Sequence, residues 1–176
     1  MEILVTLTQS VAVIMVIAYM VTRSRFYSEV MTGRISNINR FFLILIFGAF
    51  SIYGTISGFE VMGAIANIRD LGPAIAGLIA GPVVGLGAGL IGAVHRYFQG
   101  GLTCEPCSIA TVVAGLAGGT VYLLRKGKRT SIQGRVAFMV GIELFHMGLT
   151  LLMTRPFDEA LAIVKKITIP MIVANG

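Results

Sequence analysis

The chain has 176 residues, 56% of them hydrophobic and 12% charged, with a mean hydropathy of +0.87. A soluble domain carries about 25% charged residues, so these proportions exclude a water-faced globule and indicate an all-α, polytopic membrane protein; the long apolar runs argue against a β-barrel. The net charge of +6 gathers at the ends of apolar runs, as topology determinants do, and gives no reason to expect nucleic acid as a partner.

In chain order, residues 3–22 form an uncharged apolar run of about the length a membrane helix needs. It lacks a basic n-region and a small-residue cleavage site, so it reads as a retained helix rather than a leader. Residues 23–40 are polar, with Arg23, Arg25, Arg34 and Arg40 against Glu29. Phe26, Tyr27, Val30 and Met31 within them suit an interfacial amphipathic turn. Residues 41–57 make a second span, and 58–66 a weakly polar connection containing Glu60. Next comes a glycine-rich apolar stretch, Asn67 to Gly101, flanked by Arg69 and Arg96 and interrupted by Gly81-Pro82. Proline removes a helix hydrogen bond and clashes with the preceding turn, which predicts two arms, 71–80 and 83–98, that fold back on each other. These arms are short for full spans and suit half-helices packed within protein.

Residues 99–106 read as a loop. Residues 107–124 form a span whose small residues, Ala110, Ala114, Gly115, Gly118 and Gly119 among them, favour close helix packing. A basic cluster follows (Arg125, Lys126, Lys128, Arg129, Arg135), and then a span over 136–154 that carries Glu143 and His146. Residues 155–166 are polar. An apolar run starts at Ile167 and is too short to cross a bilayer before Gly176, which predicts a single transmembrane domain cut before or within a further helix.

Topology follows from the two most basic loops, 23–40 and 125–135. Short cytoplasmic loops collect Lys and Arg. If 67–100 crossed the membrane once, these loops would lie on opposite faces; a hairpin turning at Gly81-Pro82 puts both in the cytoplasm. Asn67, Arg69, His95 and Arg96 then meet at the outer ends of the arms, joined by Cys104 and Cys107. An arginine at mid-membrane costs about 2.5–3.5 kcal/mol. Two readings stand. Arg69 pairs with Asp70 or Glu60 while Arg96 snorkels to water, or the two guanidinium forks clamp a carboxylate.

Cys104-Glu-Pro-Cys107 is a single C-x-x-C without a second pair or histidines at ligand spacing, so no metal or other cofactor is expected. A disulfide and ordinary packing both remain open for it. Glu143 and His146, at i and i+3, share a helix face, as a functional pair or as a structural hydrogen bond. The sequence offers no Walker loop, triad spacing or HExxH, and so no catalytic constellation.

The motifs Asn67-Ile-Arg69-Asp-Leu-Gly-Pro, Gly81-Pro82-Val-Val-Gly, His95-Arg96-Tyr-Phe-Gln-Gly-Gly, Pro106-Cys107-Ser-Ile-Ala-Thr111 and Ile169-Pro-Met-Ile-Val-Ala-Asn175 closely resemble the LytS/YhcK-type five-transmembrane receptor domain, across essentially the whole chain. The resemblance implies the membrane input domain of a two-component sensor histidine kinase, or of a diguanylate cyclase. Such a domain sits as a multi-pass segment in the bacterial cytoplasmic membrane, is linked to a cytoplasmic output module and a response regulator, and is dimeric. Some members of the family respond to external pyruvate. Their ligand positions match Arg69, Arg96 and Cys107; a further serine is Ala110 here, with Ser108 and Thr111 as nearby hydroxyls. The expected ligand is a small external carboxylate, held by Arg69 and Arg96 with Cys107, Asn67, His95, Ser108 and Thr111 around it. The Gly-Pro hairpin also resembles, more distantly, the substrate-binding subunits of vitamin transporters. A solute-binding or transport protein is therefore the competing reading, and an inert membrane anchor a third.

Overall fold

The computed structural model describes residues 2–22, 29, 35–128 and 130–175. Arg23, Arg25, Arg34 and Arg129 lie outside these residues, as does the interfacial turn expected around Phe26, Tyr27, Val30 and Met31. The described elements are α1 (Glu2–Thr22), α2 (Asn37–Ile56), β1 (Phe59–Val61), β2 (Ala64–Ala66), α3 (Leu71–Ala80), α4 (Pro82–Gln99), α5 (Cys104–Leu124), α6 (Ile132–Met153) and α7 (Phe157–Asn175). Among the described residues, α2, α5 and α6 are long and apolar enough to cross a membrane.

Several boundaries differ from those expected. The second span starts at Asn37, because the Ser36 hydroxyl accepts the Asn39 N–H and caps it; Arg40 is therefore helical. The Ser131 hydroxyl likewise accepts from Gly134 N–H and starts α6 early, taking in Arg135. Residues 104–106, expected as loop, form the first turn of α5, so Cys107 lies one turn inside the helix instead of opening it. The polar stretch 155–166 is not a connection. From Phe157 it is the front of one helix, α7, and the apolar run after Lys166 continues it. Residues 58–66 hold an antiparallel ribbon in which Phe59 faces Ala66 and Val61 faces Ala64. Its two-residue turn, Met62-Gly63, has positive φ at both positions, the hand that matches the twist of the strands.

The chain breaks at Gly81, whose φ of 90° suits glycine; α3 ends at Ala80 and α4 starts at Pro82. Both arms pack backbone to backbone on α5. Along α3, Pro73 and Gly77 lie against Gly115 and Gly119; along α4, Pro82, Gly85 and Gly89 lie against Gly119, Gly115 and Thr111. The first series ascends along α5 and the second descends, so the arms are antiparallel and form a hairpin. A Cβ at Gly115 would run into the Gly85 carbonyl, which explains why this seam needs glycine: small residues let helix backbones touch.

On the other side α2 packs along α4, with Ile44 on Gly87 and Ser51 on Gly92. Leu43, Phe47, Phe50, Ile68, Val84 and Ala88 form the largest core cluster. The start of α2 and the end of α5 therefore share one end of the bundle. The entry to α3, the exit of α4 and the start of α5 share the opposite end. There α7 packs on α6 and the ribbon through Ile163, Ile167 and Met171. Its last described residue, Asn175, donates from Nδ2 to the Asn67 carbonyl at 3.2 Å.

Candidate functional site

The site is built where the ribbon hands over to α3. Asn67 shapes the backbone: its Nδ2 donates to Ile65 O at 2.6 Å and its Oδ1 accepts Arg69 N–H at 3.1 Å. This aims Arg69 inward, where the side chain is 0% exposed. Arg69 Nε donates to Thr111 Oγ1 at 2.6 Å and Nη2 to Cys107 O at 3.4 Å. Thr111 Oγ1 donates in turn to Asp70 Oδ1 at 2.6 Å, and Arg69 Nε lies 3.5 Å from that oxygen.

Arg96, at the last turn of α4, is also 0% exposed. Its Nη1 donates to Gly100 O at 2.5 Å and its Nη2 to Thr103 Oγ1 at 3.3 Å. It does not snorkel: the glycine turn at 100–101 and the start of α5 close over it. Arg69 thus has the Asp70 partner foreseen as one alternative. Arg96 has no carboxylate within 4 Å among the described residues. Arg69 Nη1 and Arg96 Nε are buried without a hydrogen-bond partner. Both guanidinium groups therefore border the first turns of α5 with spare donors, Arg69 beside Asp70 and Arg96 beside neutral oxygens alone.

α6 adds the third wall. His146 Nε2 lies 3.2 Å from Cys107 Sγ. Its Nδ1 lies 3.0 Å from Asp70 Oδ2, within ion-pair reach, although the ring N–H is not aimed squarely at that oxygen. The Glu143–His146 hydrogen bond held open as a structural explanation is absent. His146 is turned to Cys107 and Asp70, and both oxygens of the buried Glu143 lack a hydrogen-bond partner. Asp70, Glu143 and His146 offer ligand atoms within 4.8 Å of one another, the one grouping among the described residues with the donor chemistry of a metal site. Asp70, however, is already engaged by Thr111 and Arg69 on one oxygen and faces His146 on the other.

Of the residues singled out from sequence, Arg69, Cys107 and Thr111 are joined by hydrogen bonds, and Arg96 sits one turn nearer the start of α5, on Thr103. Asn67 is adjacent and acts on the backbone. Ser108 turns its hydroxyl back to Cys104 O at 2.7 Å and is half-buried. His95 is half-buried on the neighbouring face of α4, and its Nδ1 has no partner. Ala110 is fully buried. Cys104 and Cys107 are both free thiols. Asp70 was foreseen only as a partner for Arg69, and its central place is visible only once α6 is packed on α5. Glu143 and His146 could be flagged as intramembrane ionisable groups, but periodicity does not say which neighbour they meet.

Residues 24–176 match the family model described as 5TMR of 5TMR-LYT. The chain is 35% identical to the sensor histidine kinase BtsS of Escherichia coli K12 over 176 residues, covering 96% of this chain and 31% of that protein. It is 30% identical to the sensor protein LytS of Bacillus subtilis, covering 99% of this chain and 32% of that one. Against LytS of Bacillus anthracis it is 28% identical, covering 100% and 32%. The chain thus spans about a third of the length of the curated relatives it matches. No solved structure matches it.

Proposed function

The chain belongs to the 5TMR-LYT family of membrane domains, and on that premise we propose that it is the signal-input domain of a two-component sensor histidine kinase that detects a small external carboxylate, with pyruvate the first candidate. The observation that carries this reading is the pair of fully buried arginines with unpartnered donors at one end of the hairpin. Buried guanidinium without a matching anion is unfavourable. One monovalent carboxylate balances the charge left over after Asp70, and the fork geometry of guanidinium recognises it. Cys107 and Thr111 border the same space and supply hydrogen bonds.

Signalling needs two states that the ligand binds unequally. The link from Arg69 through the Asn67 turn to Asn175 supports a route from ligand to α7. In this reading the parent protein carries a cytoplasmic kinase module acting on a response regulator, in a homodimer spanning the bacterial cytoplasmic membrane several times. A diguanylate cyclase output would use the same input. The even crossing count supports an outward-facing site, since the basic loops then lie together in the cytoplasm.

The test is pyruvate-dependent autophosphorylation of the full-length protein in proteoliposomes, with ligand added to the face opposite the kinase. Loss of the response in Arg69→Ala plus Arg96→Ala is expected; an unchanged response refutes the clamp. The buried Glu143 and His146 favour one rival, a proton-coupled solute transporter. Accumulation of labelled pyruvate in the same vesicles would support that rival against the sensor.

A further inference from the structure

Cys107, His146 and Asp70 come from three separate elements and stand in line: Sγ to Nε2 at 3.2 Å, and Nδ1 to Oδ2 at 3.0 Å. A thiol, an imidazole within reach of it and a carboxylate within ion-pair reach of the imidazole are the parts of an activated nucleophile. All three are buried. Two further observations point to a ligand there. Arg69 stretches over the Cys107 turn, donating to its carbonyl at 3.4 Å while Nη1 stays unpartnered. Glu143, buried with both oxygens unpartnered, reaches within 4.8 Å of the His146 and Asp70 ligand atoms.

We infer that Cys107 captures the carbonyl carbon of a 2-oxo acid as a reversible thiohemiketal, with His146 holding the proton and Asp70 positioning His146. The inference rests on the reading that Arg69 and Arg96 hold the ligand's carboxylate. A carboxylate on Arg69 brings the adjacent carbon over the turn that carries the sulfur. The Cys107 S–H proton passes to His146 Nε2, and a sulfur lone pair forms the S–C bond. The C=O π pair moves onto oxygen, and His146 returns the proton there. Nothing leaves, nothing is oxidised or reduced, and the reverse steps restore ketone and thiol. The new hydroxyl is a donor that the sp² ketone lacks, and Glu143 supplies the acceptor that the unliganded site leaves unused. The site thereby discriminates 2-oxo acids from saturated acids of the same charge.

The experiment adds [2-13C]pyruvate to the 176-residue chain in nanodiscs and reads the bound carbon by 13C NMR, with acetate affinity measured in parallel as a report on the arginines alone. The bound carbon is expected among tetrahedral carbons. In Cys107→Ala and Cys107→Ser that resonance disappears and the pyruvate-to-acetate affinity ratio falls at least tenfold. Asp70→Asn reduces the adduct fraction at saturating pyruvate and shifts the pH dependence of that fraction, a change that a merely structural aspartate would not produce. A bound carbon that stays a ketone in the unsubstituted chain overturns the thiohemiketal and leaves the arginine clamp standing. Failure of both acids to bind overturns both.

Discussion

Arg96→Met separates a ligand-binding arginine from a structural one. Methionine keeps much of the volume and removes the charge. Arg96 is 0% exposed and makes two hydrogen bonds to neutral oxygens, with no carboxylate within 4 Å among the described residues. Losing two bonds from a charged donor costs about 1.5–3 kcal/mol each. The desolvation penalty of a buried ion, several kcal/mol, is relieved at the same time. The two nearly cancel, so the unliganded melting temperature stays within a few degrees. The ligand has no such compensation. It loses a charge-assisted bond worth about 1.5–3 kcal/mol, and at 1.4 kcal/mol per decade its affinity falls about 10- to 100-fold. Calorimetric titration of pyruvate into the chain in nanodiscs, beside thermal unfolding without ligand, reads both quantities. Unchanged affinity with a large drop in melting temperature would refute the reasoning and make Arg96 a strut.

Further outcomes test the surrounding structure. Gly115→Val drives a side chain into the Gly85 carbonyl and should destabilise the fold by at least about 1–3 kcal/mol in thermal unfolding. Gly141→Ala on α6, where a Cβ meets nothing within 4 Å, should stabilise by up to about 1 kcal/mol. Thr111→Val keeps the shape but removes the hydroxyl that bridges Arg69 to Asp70. Stability should fall by about 1–3 kcal/mol, with pyruvate affinity falling alongside it. Asn175→Ala cuts the bond to Asn67 O without removing a hydrogen bond of either arginine; ligand-dependent kinase output in the full-length protein should weaken more than pyruvate affinity does.

What could be read from the sequence was what local chemistry dictates. Gly81-Pro82 specifies a break whatever surrounds it, and the two helices on either side of it follow. Arg69 and Arg96 stand out because charge in an apolar stretch demands a partner. Helix boundaries were missed where a cap decides them: Ser36 and Ser131 start helices several residues before hydrophobicity rises. The ribbon at 59–66 was missed because three-residue strands show too little alternation, leaving only Gly63 as a turn signal. The Cys107–His146–Asp70 line was out of reach for a different reason. Its members are separated by 37 and 39 residues and meet only where α6 packs on α5 beside the α3–α5 seam, which glycines at 77 and 115 hold close. Counting motif spacings along the chain cannot detect a constellation assembled across three helices.

The central claim is that one carboxylate lies between two guanidinium groups. Solid-state NMR dipolar recoupling between [1-13C]pyruvate and 15N-guanidinium-labelled arginine, on the chain in lipid, measures this directly. The account predicts dephasing of the bound carboxylate by two arginines, reduced to one in Arg69→Lys and in Arg96→Lys alike. A bound carboxylate that shows no arginine contact, or one that neither substitution alters, would contradict it.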